Sequence, residues 1–140
     1  MKNIKLIAAE RAKKEEIPYY VLNTKTHPSS DDLDNAMLDA LLHHETELII
    51  LAGYMKKIGE NILNTFRGKI INIHPALLPK YGGKGMYGLN VHEAVLKAEE
   101  KETGVSIHII DEDYDTGPIV AQTSLSIMES DNVESLSKRV

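Results

Sequence analysis

Short apolar segments alternate along this chain with segments whose apolar residues recur at helical spacing, and this alternation restricts the fold more than any other feature. Residues 47–52 form a nearly continuous apolar run, which predicts a strand buried on both faces. A helix follows Ser29, a residue type suited to N-caps, and its one-sided apolar stripe consists of Leu33, Ala36, Met37, Ala40 and Leu41. Strands that alternate with helices predict an α/β fold around a largely parallel sheet.

The other elements are predicted from the same two periodicities. Helices are expected at residues 4–16, 58–64, 91–99 and 132–140. Strands are expected at residues 19–22, 69–73, 105–110 and 119–127. In such sheets ligands bind beyond the carboxyl ends of the strands, which makes the loops at residues 74–88 and 111–117 candidate sites.

Length and composition exclude several classes of function. A chain of 140 residues is by default one domain, covering residues 1–140. The net charge of −5 removes the electrostatic basis for binding nucleic acid or an anionic membrane. The absence of cysteine excludes disulfides, thiolate catalysis and cysteine-type zinc sites. Since the sequence has neither a bilayer-length apolar run nor a signal-peptide pattern, we expect a cytoplasmic protein.

A glycine-rich segment and the histidines are weaker indications of ligand sites. Residues 83–88 fit the pattern G-x-G-x-x-G, but a nucleotide-binding version of this motif joins a strand directly to a helix. Prolines intervene here, so the segment is better interpreted as an active-site loop that exposes its backbone. No metal site is expected, because His27, His92 and His108 lack partners at metal-ligand spacing. His92 also begins a helix and is expected to be solvated.

The segment at residues 70–79 contains the most informative pair of side chains. Asn72 and His74 lie two positions apart at the end of a strand, so both project from one face, while Ile73 is expected to point toward the core. An amide beside an imidazole can donate hydrogen bonds to a developing oxyanion. A turn-capping asparagine and a hydrogen-bonded histidine next to Pro75 would produce the same pattern, so both interpretations stay open.

An acidic loop follows the predicted strand at residues 105–110. It carries four acidic residues within five positions, which is usual for a solvated turn. The loop also leaves the carboxyl end of a strand, where sites gather. If Asp115 reaches His74, its charge would stabilise the protonated imidazole near neutral pH.

Three segments carry a family resemblance: Leu51-Ala-Gly-Tyr-Met-Lys-Lys-Ile58, Ile71-Asn-Ile-His-Pro-Ala-Leu-Leu-Pro-Lys80, and Gly104-Val-Ser-Ile-His followed by Asp115-Thr-Gly-Pro118. Taken in this order, they closely resemble the phosphoribosylglycinamide formyltransferases of purine biosynthesis. The resemblance implies an α/β fold of the formyltransferase type, a Rossmann-like three-layer sandwich with a mostly parallel sheet and helices on both faces, here truncated at both ends. Within that family the Leu78–Pro79 peptide bond is a candidate for the cis form.

The resemblance also implies a reaction, in which a formyl group passes from 10-formyltetrahydrofolate to the primary amine of glycinamide ribonucleotide. Asn72 and protonated His74 would stabilise the oxyanion, His74 would also transfer protons, and Asp115 would keep His74 charged and position a water molecule. Folate would bind largely through backbone groups of Met55, Lys56, Lys57, Ile58, Asn72, Asp111, Glu112, Asp113, Tyr114 and Asp115. The implied partners are the two small-molecule substrates, with no metal, nucleic acid or membrane, in a monomer or a homodimer.

The sequence departs from the family pattern at both ends. Family members begin with a strand and a Gly/Ser/Asn turn that binds the ribonucleotide phosphate, whereas this sequence starts near the helix after the second strand and stops at Val140, inside a helix. We therefore expect this polypeptide alone to be inactive or weakly active. Two alternatives stay open: a formyltetrahydrofolate hydrolase, which passes the formyl group to water, and a non-catalytic folate-binding fragment.

Overall fold

The computed structural model describes residues 4–113 and 115–140 of the chain. Within these residues the backbone forms five helices and four strands: α1 (Ile4–Lys14), α2 (Ser30–His43), β1 (Ile49–Leu51), α3 (Glu60–Thr65), β2 (Ile70–His74), α4 (Leu89–Lys97), β3 (Glu102–Ile109), β4 (Ile119–Ser126) and α5 (Val133–Arg139). Two compact units are present. The first comprises the chain up to Thr46 with Gly59–Ile62, and the second comprises Glu47–Ile58 with Leu63–Val140.

The first unit contains α1 and α2, and both helices confirm the sequence prediction. The hydroxyl of Ser29 accepts a hydrogen bond from the Asp32 N–H, so Ser29 is the N-cap of α2. The predicted strand at residues 19–22 is wrong, because these residues pair with no strand in the described part of the chain. Tyr19, Tyr20 and Val21 favour strands in general, but they are about half exposed, and none of the strands that the structure describes lies beside them to form a ladder.

Asp34 of α2 is buried because its carboxylate caps the start of α3. One carboxylate oxygen accepts from the Asn61 N–H at 2.8 Å, and the other accepts from the Ile62 N–H at 3.4 Å. The first N–H groups of a helix have no partner inside the helix, and a negative charge suits that end of the helix dipole. Gly59 leaves room for this contact, since a Cβ there would lie 2.1 Å from the Asp34 Cγ.

The second unit contains a sheet that is mixed rather than largely parallel. Among the described residues its strand order is β1-β2-β3-β4, and β1 pairs with β2 in parallel. The pairs β2–β3 and β3–β4 are antiparallel, so the prediction of a mostly parallel sheet is wrong here. The alternation of strands and helices implies parallel strands only when each helix forms a crossover. The loop and helix α4 between β2 and β3 instead return the chain in the opposite direction.

Strand β1 is shorter and more exposed than its apolar sequence predicts. Residues 47–52 were expected to be buried on both faces, but the strand covers only Ile49–Leu51, and Ile50 is 58% exposed. In the described sheet β1 has a neighbour on one side only, which makes it an edge strand. The apolar run therefore predicts a strand correctly, but the prediction that both of its faces are buried is wrong.

Helices α4 and α5 pack against each other and supply much of the core of the second unit. Val91 and Val95 of α4 and Leu136 of α5 are almost completely buried. Asn132 caps α5 by accepting from the Glu134 and Ser135 N–H groups, which confirms the predicted helix start. None of the helices in the described part of the chain has the length and apolarity needed to cross a membrane.

We expect Gly104→Ala to destabilise the second unit by about 3 kcal/mol, measured by urea unfolding. A Cβ at this position of β3 would lie 2.0 Å from the Thr123 carbonyl oxygen and 2.9 Å from the Ser124 Cα, both in the backbone of β4. The backbone atoms of a paired strand cannot move away without a large cost in free energy. Ser124→Ala, on the exposed partner position, is the matched control and should change stability by less than about 0.5 kcal/mol. Equal stability of the two variants would contradict this packing.

Candidate active site

Strands β2 and β3 present polar side chains on one shared face of the sheet. Asn72 is paired with His108, and His74 is paired with Ser106. Side chains two positions apart on a strand share a face, so all four residues lie on the same side. His74 is 3% exposed, and Ser106 and His108 are completely buried. A buried polar face of this kind needs internal hydrogen-bond partners.

Asp115 connects two of these side chains. Its Oδ2 lies 3.7 Å from the His74 Nδ1 and its Oδ1 lies 3.4 Å from the His108 Nε2. The Gly83 N–H, from the glycine-rich loop, donates to Oδ2 at 2.9 Å. Since β3 runs antiparallel to β2, its carboxyl end lies beside the start of β2. The loop after β3 must therefore run back along the sheet for Asp115 to reach His74. The loops after β2 and β3 contact each other through Gly83 and Asp115, but the two strands do not end at a common edge. The predicted common carboxyl edge is therefore wrong.

The pKa of Asp115 is lowered in spite of its burial. Burial alone raises the pKa of a carboxyl group, but hydrogen bonds from His108 and the Gly83 N–H, together with the charges of His74 and His108, outweigh it. Asp115 is therefore ionised at neutral pH, which gives the cluster a fixed negative charge between two imidazoles.

Because the pKa of Asp115 is lowered, we expect this carboxyl group to contribute to the loss of folding stability in acid. A carboxyl whose folded pKa lies below its unfolded pKa stabilises the fold fully above about pH 4, and the contribution is lost as pH falls through the folded pKa. We expect the free energy of unfolding of Asp115→Asn to fall less steeply below pH 4 than that of the unsubstituted chain. Urea unfolding across this pH range measures the difference, and identical acid slopes would contradict it.

His108 is a site residue that the sequence interpretation missed. Its Nε2 lies 3.1 Å from the Asn72 Nδ2 as well as close to Asp115, and its Nδ1 lies 3.3 Å from the Ile109 carbonyl oxygen. Nε2 can accept from the Asn72 amide when unprotonated and donate to Asp115 when protonated. One signal was available: Ser106 and His108 are polar residues on a single face of β3, and that face was predictable from their alternation with Val105 and Ile107.

Ser106 fixes the chain that follows His74. Its hydroxyl donates to the Ala76 carbonyl at 2.6 Å and accepts from the Leu78 N–H at 2.9 Å. Gln122 of β4 donates both to the Ser106 hydroxyl at 2.8 Å and to the Leu78 carbonyl at 2.9 Å. The Leu78–Pro79 peptide bond is cis, which confirms the prediction made from the family resemblance.

Two residues near the site are placed differently from the prediction. Ile73 was expected in the core but is 41% exposed, because the face of β2 opposite His74 is open at this position. His92 was expected to be solvated but is 3% exposed, because it lies on the same side of α4 as Val91 and Val95. Burial lowers the pKa of His92, and the charge of His74 adds to this effect. Its Nδ1 has no hydrogen-bond partner among the described residues.

Apart from Asn72 of β2, the predicted folate-binding residues fall into two segments that are only partly exposed. In the first, Met55, Lys56 and Lys57 are exposed and Ile58 is buried, so the Ile58 side chain is not available to a ligand. In the second, the Asp111 carboxylate accepts from the Asp113 N–H and the Thr116 hydroxyl, which orders the start of the loop. Glu112 pairs with Arg67 at the surface. Tyr114 lies outside the described residues.

The described residues contain no group of three or more histidine, aspartate or glutamate side chains placed to hold a metal ion. The chemistry that the cluster offers is that of hydrogen-bond donors and a proton-transfer group. Asn72 carries an amide donor, His74 an imidazole, and Asp115 a carboxylate, within one linked set of contacts.

Known proteins resemble the chain over nearly its whole length. The family described as formyl transferase matches residues 2–140. The chloroplastic phosphoribosylglycinamide formyltransferase of Arabidopsis thaliana is 41% identical over 133 residues, which cover 94% of this chain and 46% of that protein. The phosphoribosylglycinamide formyltransferase of Bacillus subtilis (strain 168) is 40% identical over 131 residues, which cover 94% of this chain and 65% of that protein.

The fold is similar to that of a solved structure. The crystal structure of phosphoribosylglycinamide formyltransferase from Bacillus halodurans matches with a TM-score of 0.83 at 41% identity, covering 93% of this chain and 64% of that one. The predicted α/β fold of the formyltransferase type is thereby confirmed. The chain spans about half to two-thirds of the length of the relatives it matches. From the family match and these identities together, we conclude that the chain belongs to the formyl transferase family.

Proposed function

We propose that the site transfers a formyl group from 10-formyltetrahydrofolate to the primary amine of glycinamide ribonucleotide. The observation that carries this proposal is the buried cluster in which Asp115 links His74 to His108 and Asn72 stands beside them. The names of the Arabidopsis and Bacillus relatives support the acceptor, since both are phosphoribosylglycinamide formyltransferases. The donor is proposed from the family resemblance of the same segments.

The proposed reaction proceeds through a tetrahedral intermediate. The amine nitrogen attacks the formyl carbon, a C–N bond forms, and the carbonyl electron pair moves to oxygen. When the C=O bond re-forms, the bond to N10 of the folate breaks. The amine loses one proton and N10 gains one, so the reaction needs an oxyanion stabiliser and a group that transfers a proton.

The residues of the cluster suit these two requirements. The amide of Asn72 has two N–H donors, of which one faces His108 and the other has no partner among the described residues, so it can donate to an oxyanion. A protonated His74 adds a positive charge, and ionised Asp115 beside it favours that charge. In a buried setting these interactions are stronger than in water. We propose that Asp115 also positions the water molecule through which protons move.

The remaining elements of the proposal concern binding and assembly. We propose that Met55, Lys56, Lys57 and the loop at residues 111–115 bind the folate, mainly through backbone groups, and that Ile58 contributes its backbone alone. We further propose that residues 1–140 act as one catalytic domain on small-molecule substrates, as a monomer or a homodimer, in the cytoplasm. The plant relative named chloroplastic makes an organelle the alternative compartment.

The acceptor distinguishes this proposal from its alternatives. Folate deformylation is followed with and without glycinamide ribonucleotide, and folate binding is measured by calorimetry. We expect slow deformylation that requires the ribonucleotide and yields its formylated form. Formate release at an equal rate without the ribonucleotide would indicate a hydrolase instead. Folate binding without either product would indicate a binding fragment.

A further inference from the structure

The second ring nitrogen of His74 has a partner that no catalytic role requires. The His74 Nε2 lies 2.7 Å from the backbone carbonyl oxygen of Tyr81. A carbonyl oxygen only accepts hydrogen bonds, so Nε2 must carry a proton for this contact to be favourable. In a neutral imidazole Nδ1 is then unprotonated, and Nδ1 is the nitrogen that faces Asp115 at 3.7 Å.

The Tyr81 carbonyl is held in place by the side chain of the same residue. Tyr81 has a positive φ of 56°, a left-handed conformation that is sterically unfavourable for a residue with a Cβ. Its hydroxyl donates to the Glu100 Oε1 at 2.8 Å. The Lys80 Nζ donates to the same oxygen at 2.9 Å, so the carboxylate is bonded by two neighbouring residues of one turn. Tyr81 is thus fixed at both its carbonyl and its phenol.

The same turn also holds the other half of the pair. Two residues after Tyr81, the Gly83 N–H donates to the Asp115 Oδ2, the oxygen that lies closest to His74. A short stretch of backbone therefore contacts both the imidazole and the carboxylate. Hydrogen bonds from Lys80 and Tyr81 lower the pKa of Glu100, which keeps it ionised and a strong acceptor at neutral pH.

We propose that Tyr81 is a positioning residue that selects the tautomer of His74. The Tyr81–Glu100 hydrogen bond holds the turn, the Tyr81 carbonyl keeps a proton on Nε2, and Nδ1 becomes the nitrogen that gains and loses the catalytic proton. The inference rests on the proposed function for its catalytic meaning, but the tautomer itself is a property of the chain without substrate.

Nitrogen NMR of ¹⁵N-labelled imidazoles tests the tautomer directly, at a pH above the titration midpoint of His74. We expect Nε2 to be protonated and Nδ1 unprotonated in the unsubstituted chain. Tyr81→Phe removes only the hydroxyl, and we expect its His74 to become a mixture of tautomers. Tyr87→Phe, which removes an exposed hydroxyl of the same loop, is the matched control and should leave the spectrum unchanged.

Substitutions of Glu100, which accepts the hydrogen bond from the Tyr81 hydroxyl, test the same contact. Glu100→Ala should reproduce the Tyr81→Phe spectrum, and Glu100→Gln, which keeps an acceptor oxygen, should restore the single tautomer. If Tyr81→Phe fails to fold, the two Glu100 variants decide the question. Where turnover is measurable, Tyr81→Phe should lower kcat about 10-fold and leave KM unchanged.

Two results would overturn the proposal. One is a neutral His74 protonated on Nδ1 in the unsubstituted chain. The other is a single unchanged tautomer in folded Tyr81→Phe or folded Glu100→Ala. Absence of formyl transfer with the expected spectra would contradict the proposed function and leave the tautomer assignment standing, so the two failures are distinguishable.

Discussion

His74→Ala is expected to lower the rate of formyl transfer by about 10³-fold or more. The substitution removes the positive charge beside the oxyanion and the group proposed to transfer the proton, and each effect is typically worth about 10²-fold or more. The ring also contacts the Tyr81 carbonyl and Asp115, so its loss leaves two acceptors without their partner. Initial rates of folate deformylation with glycinamide ribonucleotide measure the effect.

The control for His74→Ala is another histidine of the same chain. His43 lies at the exposed end of α2, outside the candidate site. His43→Ala should keep the rate of the unsubstituted chain within about twofold, because surface substitutions away from a site have small effects. Circular dichroism of both variants checks that they are folded. Equal rates in folded His74→Ala and His43→Ala would contradict the role given to His74.

Asp115→Asn is expected to lower the transfer rate by about 10²-fold. Asparagine has nearly the same shape and can still accept from the Gly83 N–H, so the loop keeps this contact. The negative charge that lies between His74 and His108 is lost, and with it both contacts to the two rings. Initial rates of folate deformylation with glycinamide ribonucleotide measure the loss.

An exposed aspartate provides the control for this second variant. Asp39 lies on the exposed side of α2, and Asp39→Asn removes the same charge at the surface. It should leave the rate unchanged within about twofold. Equal rates in folded Asp115→Asn and Asp39→Asn would contradict the role given to Asp115.

The sequence predicts the helices of this chain well because their signals are local. Ser29 and Asn132 cap helices as expected, and the apolar spacing around Val91 and Val95 identifies the buried side of α4. His92 lies on that buried side as well, and the prediction that it would be solvated considered only its place at the helix start. Burial depends on what packs against a helix face, which spacing within one helix does not specify.

Strand direction and strand pairing were harder to predict because they depend on distant residues. Nothing local to residues 105–110 indicates that β3 runs antiparallel to β2, and this direction decides that His108 lies opposite Asn72. Residues 19–22 have strand-like composition but no partner strand in the described part of the chain. Asn72, His74 and Asp115 were predicted as site residues without this information because their motifs carry the family resemblance. Tyr81 was not, since its contribution comes from a backbone carbonyl.

Transfer of a labelled formyl group is a direct test of the proposed reaction. The chain, at a concentration similar to that of the substrates, is mixed with ¹³C-formyl-labelled tetrahydrofolate and glycinamide ribonucleotide. The label is followed by NMR and mass spectrometry. We predict slow appearance of ¹³C in the formamide of the ribonucleotide, at a rate above that with His74→Ala. Label that stays on the folate, that appears only as formate, or that transfers equally with folded His74→Ala would contradict the proposed function.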